Sequence, residues 1–132
     1  MKILATDMDG TFLDHLGAYD KARLDNLLDA CEAKDYVFTV ASGRALLALE
    51  ELFDGFVDRI AIIAENGALV QYKGEVLFES KLDPKDYLEI ADTTLALPTC
   101  EGVLLSGRRG AYAPNDADPA YLKAMERYYE NV

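Results

Sequence analysis

Asp7 and Asp9 stand two residues apart in "ILATDMDGTFLD", directly after an apolar run and directly before Gly10. Carboxylates this close repel each other and are costly to take out of water together, unless a cation or a division of proton-transfer roles compensates. Hard oxygen ligands unaccompanied by His or Cys favour Mg²⁺ over zinc. Gly10 permits a sharp turn and leaves backbone amides to face an anion. An Asp nucleophile would form an acyl phosphate, splitting one difficult hydrolysis into two displacements, while a second Asp protonates the leaving oxygen and then activates water. An EF-hand loop also begins D-x-D, but it needs glycine at its sixth position and Glu at its twelfth, and here the glycine is fourth.

Three other positions join these two. Ser42 closes a second apolar run just before a helical pattern, where hydroxyl, amide and helix dipole together can hold a phosphate oxygen. Alone it would read as a helix N-cap; beside "DMDGT" it reads, with Gly43, as a phosphate grip. Arg44 reads equally as a solvated helix residue or as part of that grip. Asn66 follows a third apolar run and reads equally as a turn cap before Gly67 or as a site residue. His15, alone in a polar loop, is assigned no role, and Arg108-Arg109 reads as a solvated hairpin turn.

The elements that must carry these residues follow from periodicity. "KILAT" has the pattern of a strand buried on both faces of a parallel sheet. Leu24, Leu27, Leu28 and Cys31 recur at helical spacing, predicting a helix from about Asp20 to Lys34. "YVFTVA" is a second buried strand, a second helix runs from about Arg44, and "IAIIA" is a third strand ending at Glu65-Asn66-Gly67. This alternation predicts right-handed crossovers and an α/β fold with a Rossmann-like parallel sheet. Asp7, Ser42 and Asn66 would then line one crevice at the carboxyl ends of the strands.

Beyond Gly67 the pattern changes. "ALVQY" and "EVLFE" flank Lys73-Gly74 and predict a β-hairpin over about 68–79. Asp83-Pro84 opens a helix whose Leu88, Ala91 and Leu95 share a face. "GVLLSG" and "GAYA" predict two strands, and Asp118-Pro119 starts a last helix carrying Leu122, Met125 and Tyr129. The expected division is 1–82 and 83–132.

The 132 residues suffice for a real core, and a hydrophobic fraction of 51% argues against disorder. A formal net charge of -11 argues against attraction to nucleic acid or to an anionic membrane. No stretch is apolar for long enough to span a bilayer and no signal peptide is evident, so a cytoplasmic location is expected. The two cysteines, Cys31 and Cys100, are expected to be buried free thiols.

"TDMDGTFLD", "VASGR" and "IAENGALV" resemble the haloacid dehalogenase superfamily, in its Cof-type sugar-phosphatase branch. "GRRGAYAPNDADPAYLKAMERYYENV" is similar to the first half of the α/β cap that this branch inserts after its third core strand. The resemblance implies a Mg²⁺-dependent phosphatase acting on small phosphorylated metabolites, sugar phosphates in particular, through an aspartyl-phosphate. It implies Asp7 as nucleophile and Asp9 as general acid/base, with Mg²⁺ on the Asp7 carboxylate and the Asp9 backbone carbonyl. It further implies Ser42 on the transferring phosphoryl group, Thr11 supporting the loop, and Asn66-Gly67 at the junction of core and cap. Members of the family continue into a lysine and a second acidic motif of the "GDxxND" kind, neither of which follows here; "PNDAD" (114–118) echoes that motif but leads into a helix cap. The expectation is therefore an incomplete core with part of a cap, negligible turnover by itself, and an exposed sheet edge that invites self-association. The alternative is a non-catalytic remnant that binds a phosphorylated ligand or a partner chain.

Overall fold

A computed structural model describes residues 1–126, 128 and 129. The chain divides into two compact units, Met1–Glu79 and Ser80–Val132. No helix among the described residues is long and apolar enough to cross a membrane.

The first unit is one five-stranded sheet in the order β1-β2-β3-β4-β5. β1 (Lys2–Asp7), β2 (Tyr36–Ala41) and β3 (Ala61–Ala64) run parallel, with Asp7 opposite Ala41 and Ala41 opposite Ile63. α1 (Lys21–Ala33) and α2 (Leu46–Leu52) are the crossovers. β4 (Leu69–Tyr72) then turns back antiparallel to β3 and pairs with β5 (Glu75–Glu79) through the Lys73-Gly74 turn. Both turn residues have positive φ, 50° and 80°, as a tight hairpin requires. The sheet is therefore mixed, an α/β fold with a parallel half that carries the strand ends of interest.

The core is built from the stripes that periodicity marks. Leu24, Leu28 and Cys31 of α1 are buried against Phe38 and Val40 of β2, Leu49 of α2, Phe53, and Ile60 and Ile62 at β3. Asp20 caps α1, its side chain accepting a hydrogen bond from the Arg23 amide. Arg59, in the turn before β3, reaches back to three carboxylates on successive turns of α1: Asp25 at 2.6 Å, Asp29 at 2.7 Å and Glu32 at 2.8 Å.

The structure corrects the expectation for β1. It is an edge strand, bonded to β2 on one side, and Ile3 and Leu4 are 67% and 41% exposed. An apolar run reads alike in a central strand and in an edge strand, because local pattern does not say how many neighbours the strand has.

The second unit holds α3 (Pro84–Leu95), the short pair β6 (Leu105–Gly107) and β7 (Gly110–Tyr112), and α4 (Pro119–Met125). Of the α3 stripe Ala91 is buried, while Leu88 and Leu95 are 53% and 43% exposed. One expectation needs correcting. α4 ends at Met125, so Tyr129 lies past it. Asp118 does cap α4, accepting from the Ala120 amide. Cys31 is a buried free thiol as expected, whereas Cys100 is half-buried, its thiol donating to the Gly102 carbonyl.

Candidate active site

Three chain segments meet at the carboxyl ends of β1, β2 and β3. Asp7 ends β1 beside Ala41, the Ser42 amide donates to the Ile63 carbonyl at 2.9 Å, and the Asn66 amide donates to the Ser42 carbonyl at 3.2 Å. Parallel register alone brings Asp7, Ser42 and Asn66 to one edge of the sheet.

The turn after β1 explains how two neighbouring carboxylates can both stay in water. Met8, between them, is fully buried and belongs to the core cluster, while Asp7 and Asp9 are exposed. Gly10 turns the chain with φ 76°, in the left-handed region that suits glycine. The Leu13 amide then closes onto the Met8 carbonyl at 3.0 Å. Phe12 anchors the far end, packing on Tyr19 and Phe38 with ring centroids 5.4 and 5.6 Å away. Tyr19 stacks on Phe53 at 5.1 Å and donates its hydroxyl to the Leu52 carbonyl at 2.8 Å, and burial raises that hydroxyl's pKa. Thr11 is exposed on this turn. It also lines a surface hollow with Phe12, Tyr19, Arg23 and Leu24, which neither Asp7, Asp9, Ser42 nor Asn66 lines.

The turn after β2 differs from expectation. α2 starts only at Leu46, with Ala45 at the N-cap position and no side-chain cap, so Ser42 is not the cap. The Ser42 hydroxyl oxygen instead accepts from the Arg44 amide at 3.2 Å, within a tight turn. That fixes the side chain while leaving its O–H to donate elsewhere. Ser42 is buried to 9% exposure.

Arg44 is not a solvated helix residue. Its guanidinium forks onto Asp9, Nε donating to Oδ2 at 3.0 Å and Nη2 to Oδ1 at 2.6 Å, with the arginine side chain only 10% exposed. Its carbonyl accepts from the Glu65 amide at 3.0 Å. The turn after β3 is itself unusual. Glu65, Asn66 and Gly67 all have positive φ, 52°, 54° and 96°, and two of them are not glycine. Such residues persist only where their surroundings hold them, and here both amides are bonded to the Ser42–Arg44 turn. Sequence reasoning missed Met8, Glu65 and the Arg44–Asp9 pair; the last spans 35 positions and has no local signal.

A mixed α/β sheet with an acidic turn after its first strand and a serine after its second defines a hydrolase core of the haloacid dehalogenase kind. The family model for haloacid dehalogenase-like hydrolases matches residues 4–132, and the chain belongs to that family. Among known proteins it is similar to 5-amino-6-(5-phospho-D-ribitylamino)uracil phosphatase YbjI of Escherichia coli, 30% identical over all of this chain and 48% of that protein. The crystal structure of SMU.1108c from Streptococcus mutans superposes with a TM-score of 0.86 at 30% identity, over 97% of this chain and 48% of the other. The subclass IIB sugar phosphatase BT4131 shares the fold, with a TM-score of 0.67 at 22% identity over 97% of this chain and 49% of that one. The chain thus spans about half the length of the relatives it matches.

Proposed function

We propose that this chain carries the nucleophile and the phosphate grip of a Mg²⁺-dependent phosphatase for small phosphorylated metabolites. The observation that carries the reading is the meeting of Asp7, Ser42 and the Asp9–Arg44 pair at one end of the parallel strands. Similarity to a phosphatase whose substrate is a phosphorylated ribityl compound supports a phosphorylated sugar or polyol as the substrate class. Residues from 83 onward are proposed as part of a cap.

In the first step an Asp7 carboxylate oxygen attacks phosphorus. The bond from phosphorus to the leaving oxygen breaks, its electron pair goes to that oxygen, and the Asp9 carboxyl supplies the proton. In the second, water attacks the aspartyl-phosphate and gives its proton to Asp9, and the Asp7 carboxylate leaves with the electron pair of its broken bond. Ser42 donates its hydroxyl to a phosphoryl oxygen throughout. Gly43 and Gly10 keep the backbone free of side chains beside that oxygen, with Asn66 and Thr11 bracing the turns.

The donor set fits Mg²⁺, which takes one or two carboxylates and keeps several waters. The Asp7 carboxylate and the Asp9 backbone carbonyl would hold it, since the Asp9 carboxylate is engaged by Arg44. Bound there, it would neutralise charge on the phosphoryl group.

Beryllium fluoride, a phosphoryl mimic, tests the assignment by calorimetry with and without Mg²⁺. Binding that needs Mg²⁺ and disappears in Asp7→Asn is expected. Equal heats from wild type and Asp7→Asn would sink the site.

A further inference from the structure

Arg44 has no need to touch phosphate to matter, and its geometry points elsewhere. Two of its five N–H donors take both oxygens of Asp9, at 3.0 and 2.6 Å, in the fork geometry that fixes a carboxylate in plane as well as in position. A carboxylate offers about four lone-pair sites, and the fork uses one on each oxygen. Arg44 is held in its turn: its amide donates to the Ser42 hydroxyl oxygen, its carbonyl accepts from the Glu65 amide, and its side chain is largely buried. Asp9, by contrast, sits on an exposed turn with 37% of its side chain in solvent.

Building on the phosphatase reading above, we propose that Arg44 is a positioning residue that aims Asp9 at the water of the second step, rather than a ligand of the phosphoryl group. In that step the water oxygen bonds to phosphorus and the water proton passes to the Asp9 oxygen. The bond from phosphorus to Asp7 breaks, releasing inorganic phosphate. The Ser42–Gly43–Arg44 turn thereby fixes the phosphate grip through Ser42 and the base through Arg44, so one small turn sets the distance between them.

The two roles separate by which step fails. With acetyl phosphate and Mg²⁺ as phosphoryl donor, the fraction of chain carrying one phosphoryl group at Asp7 is read by intact mass, and its decay is followed after the donor is removed. Arg44→Ala is expected to raise that fraction and slow the decay about a hundredfold, as loss of an aimed general base would. Arg44→Lys should behave like Arg44→Ala, because one ammonium cannot fork, and added ethylguanidinium should speed the decay of Arg44→Ala. Reduced phosphorylation with unchanged decay would place Arg44 on the phosphoryl group and overturn the proposal. A second measurement does not depend on any Arg44 variant folding. The Arg44 Nε–H signal in ¹H–¹⁵N spectra of the wild type should exchange slowly, and it should lose that protection in Asp9→Asn. Fast exchange in the wild type overturns the pairing whatever the kinetics show. A protected signal with neither phosphorylation of Asp7 nor Mg²⁺-dependent binding of beryllium fluoride would instead overturn the phosphatase reading, and this role with it.

Discussion

The Asn66 carboxamide lies directly over Gly43: a β-carbon at position 43 would stand 2.9 Å from Asn66 Oδ1 and 3.2 Å from Nδ2. The glycine is therefore explained by the asparagine, and the turns after β2 and β3 are fitted to each other by side chain as well as by backbone. Because Asn66 is short and exposed, Gly43→Ala can be relieved by swinging the carboxamide aside, at a stability cost below about 1 kcal/mol. In an Asn66→Gly background, which keeps the positive φ without strain, the same alanine should cost nothing. A double-mutant cycle by urea denaturation should show coupling of about 0.5 kcal/mol or more, and strict additivity would mean the Asn66 side chain does not meet position 43.

Met8 is the residue that lets two carboxylates share one turn, since its burial turns Asp7 and Asp9 toward water. Truncation to alanine removes a fully buried side chain from the main core and should cost about 2–5 kcal/mol, measured by chemical denaturation. Met8→Leu, nearly equal in volume, should cost less than about 1.5 kcal/mol. Equal losses for the two would show that the site is not packed as described.

Much of this arrangement was legible in the residues alone, and what was not has a physical reason. The strand ends at Asp7, Ala41 and Ala64 follow from apolar runs that stop at polar residues, and α1 follows from Leu24, Leu28 and Cys31. That β1 would be an exposed edge strand could not be read from its own residues, because Ile3 and Leu4 look the same whether or not a second neighbour covers them. The late start of α2 was hidden by Ser42, which is an excellent helix cap by type but is used here in a tight turn with Arg44. The Arg44–Asp9 fork depends on the register that sets Asp7 beside Ala41, a long-range fact that spacing along the chain does not contain.

Asp14 gives the loop before α1 a pH dependence. Its carboxylate accepts from the Ala18 amide at 3.0 Å and the Leu16 amide at 2.8 Å, bonds that hold its pKa below the ordinary 3.8. A depressed folded value means the stabilisation is present above 3.8 and lost as pH falls through the lower folded value. Wild type should therefore be more stable than Asp14→Asn at about pH 6, and the two should converge by about pH 2. A difference that persists undiminished in acid would show that the carboxylate's charge is not what holds the loop.

Arg59 offers the clearest electrostatic test away from the site. Asp25, Asp29 and Glu32 lie along one face of α1, at spacings of four and three residues, and repel one another except where the guanidinium bridges them. Those bonds raise the arginine's pKa, Glu32 contributing most, so the charge is always present and the linkage does not depend on pH near neutrality. Arg59→Ala should lower the melting temperature by removing the link from α1 to the strand it covers and leaving three carboxylates in mutual repulsion. All three are more than half exposed, so added salt should screen both the attraction and the repulsion and shrink the difference between variant and wild type. Arg59→Lys should recover only part of the loss, because one ammonium on a flexible stem cannot meet three carboxylates at once. Thermal melts of the three proteins at low and high salt decide it: a deficit in Arg59→Ala that is the same at both would show that the arginine acts through packing of its aliphatic stem and not through its charge.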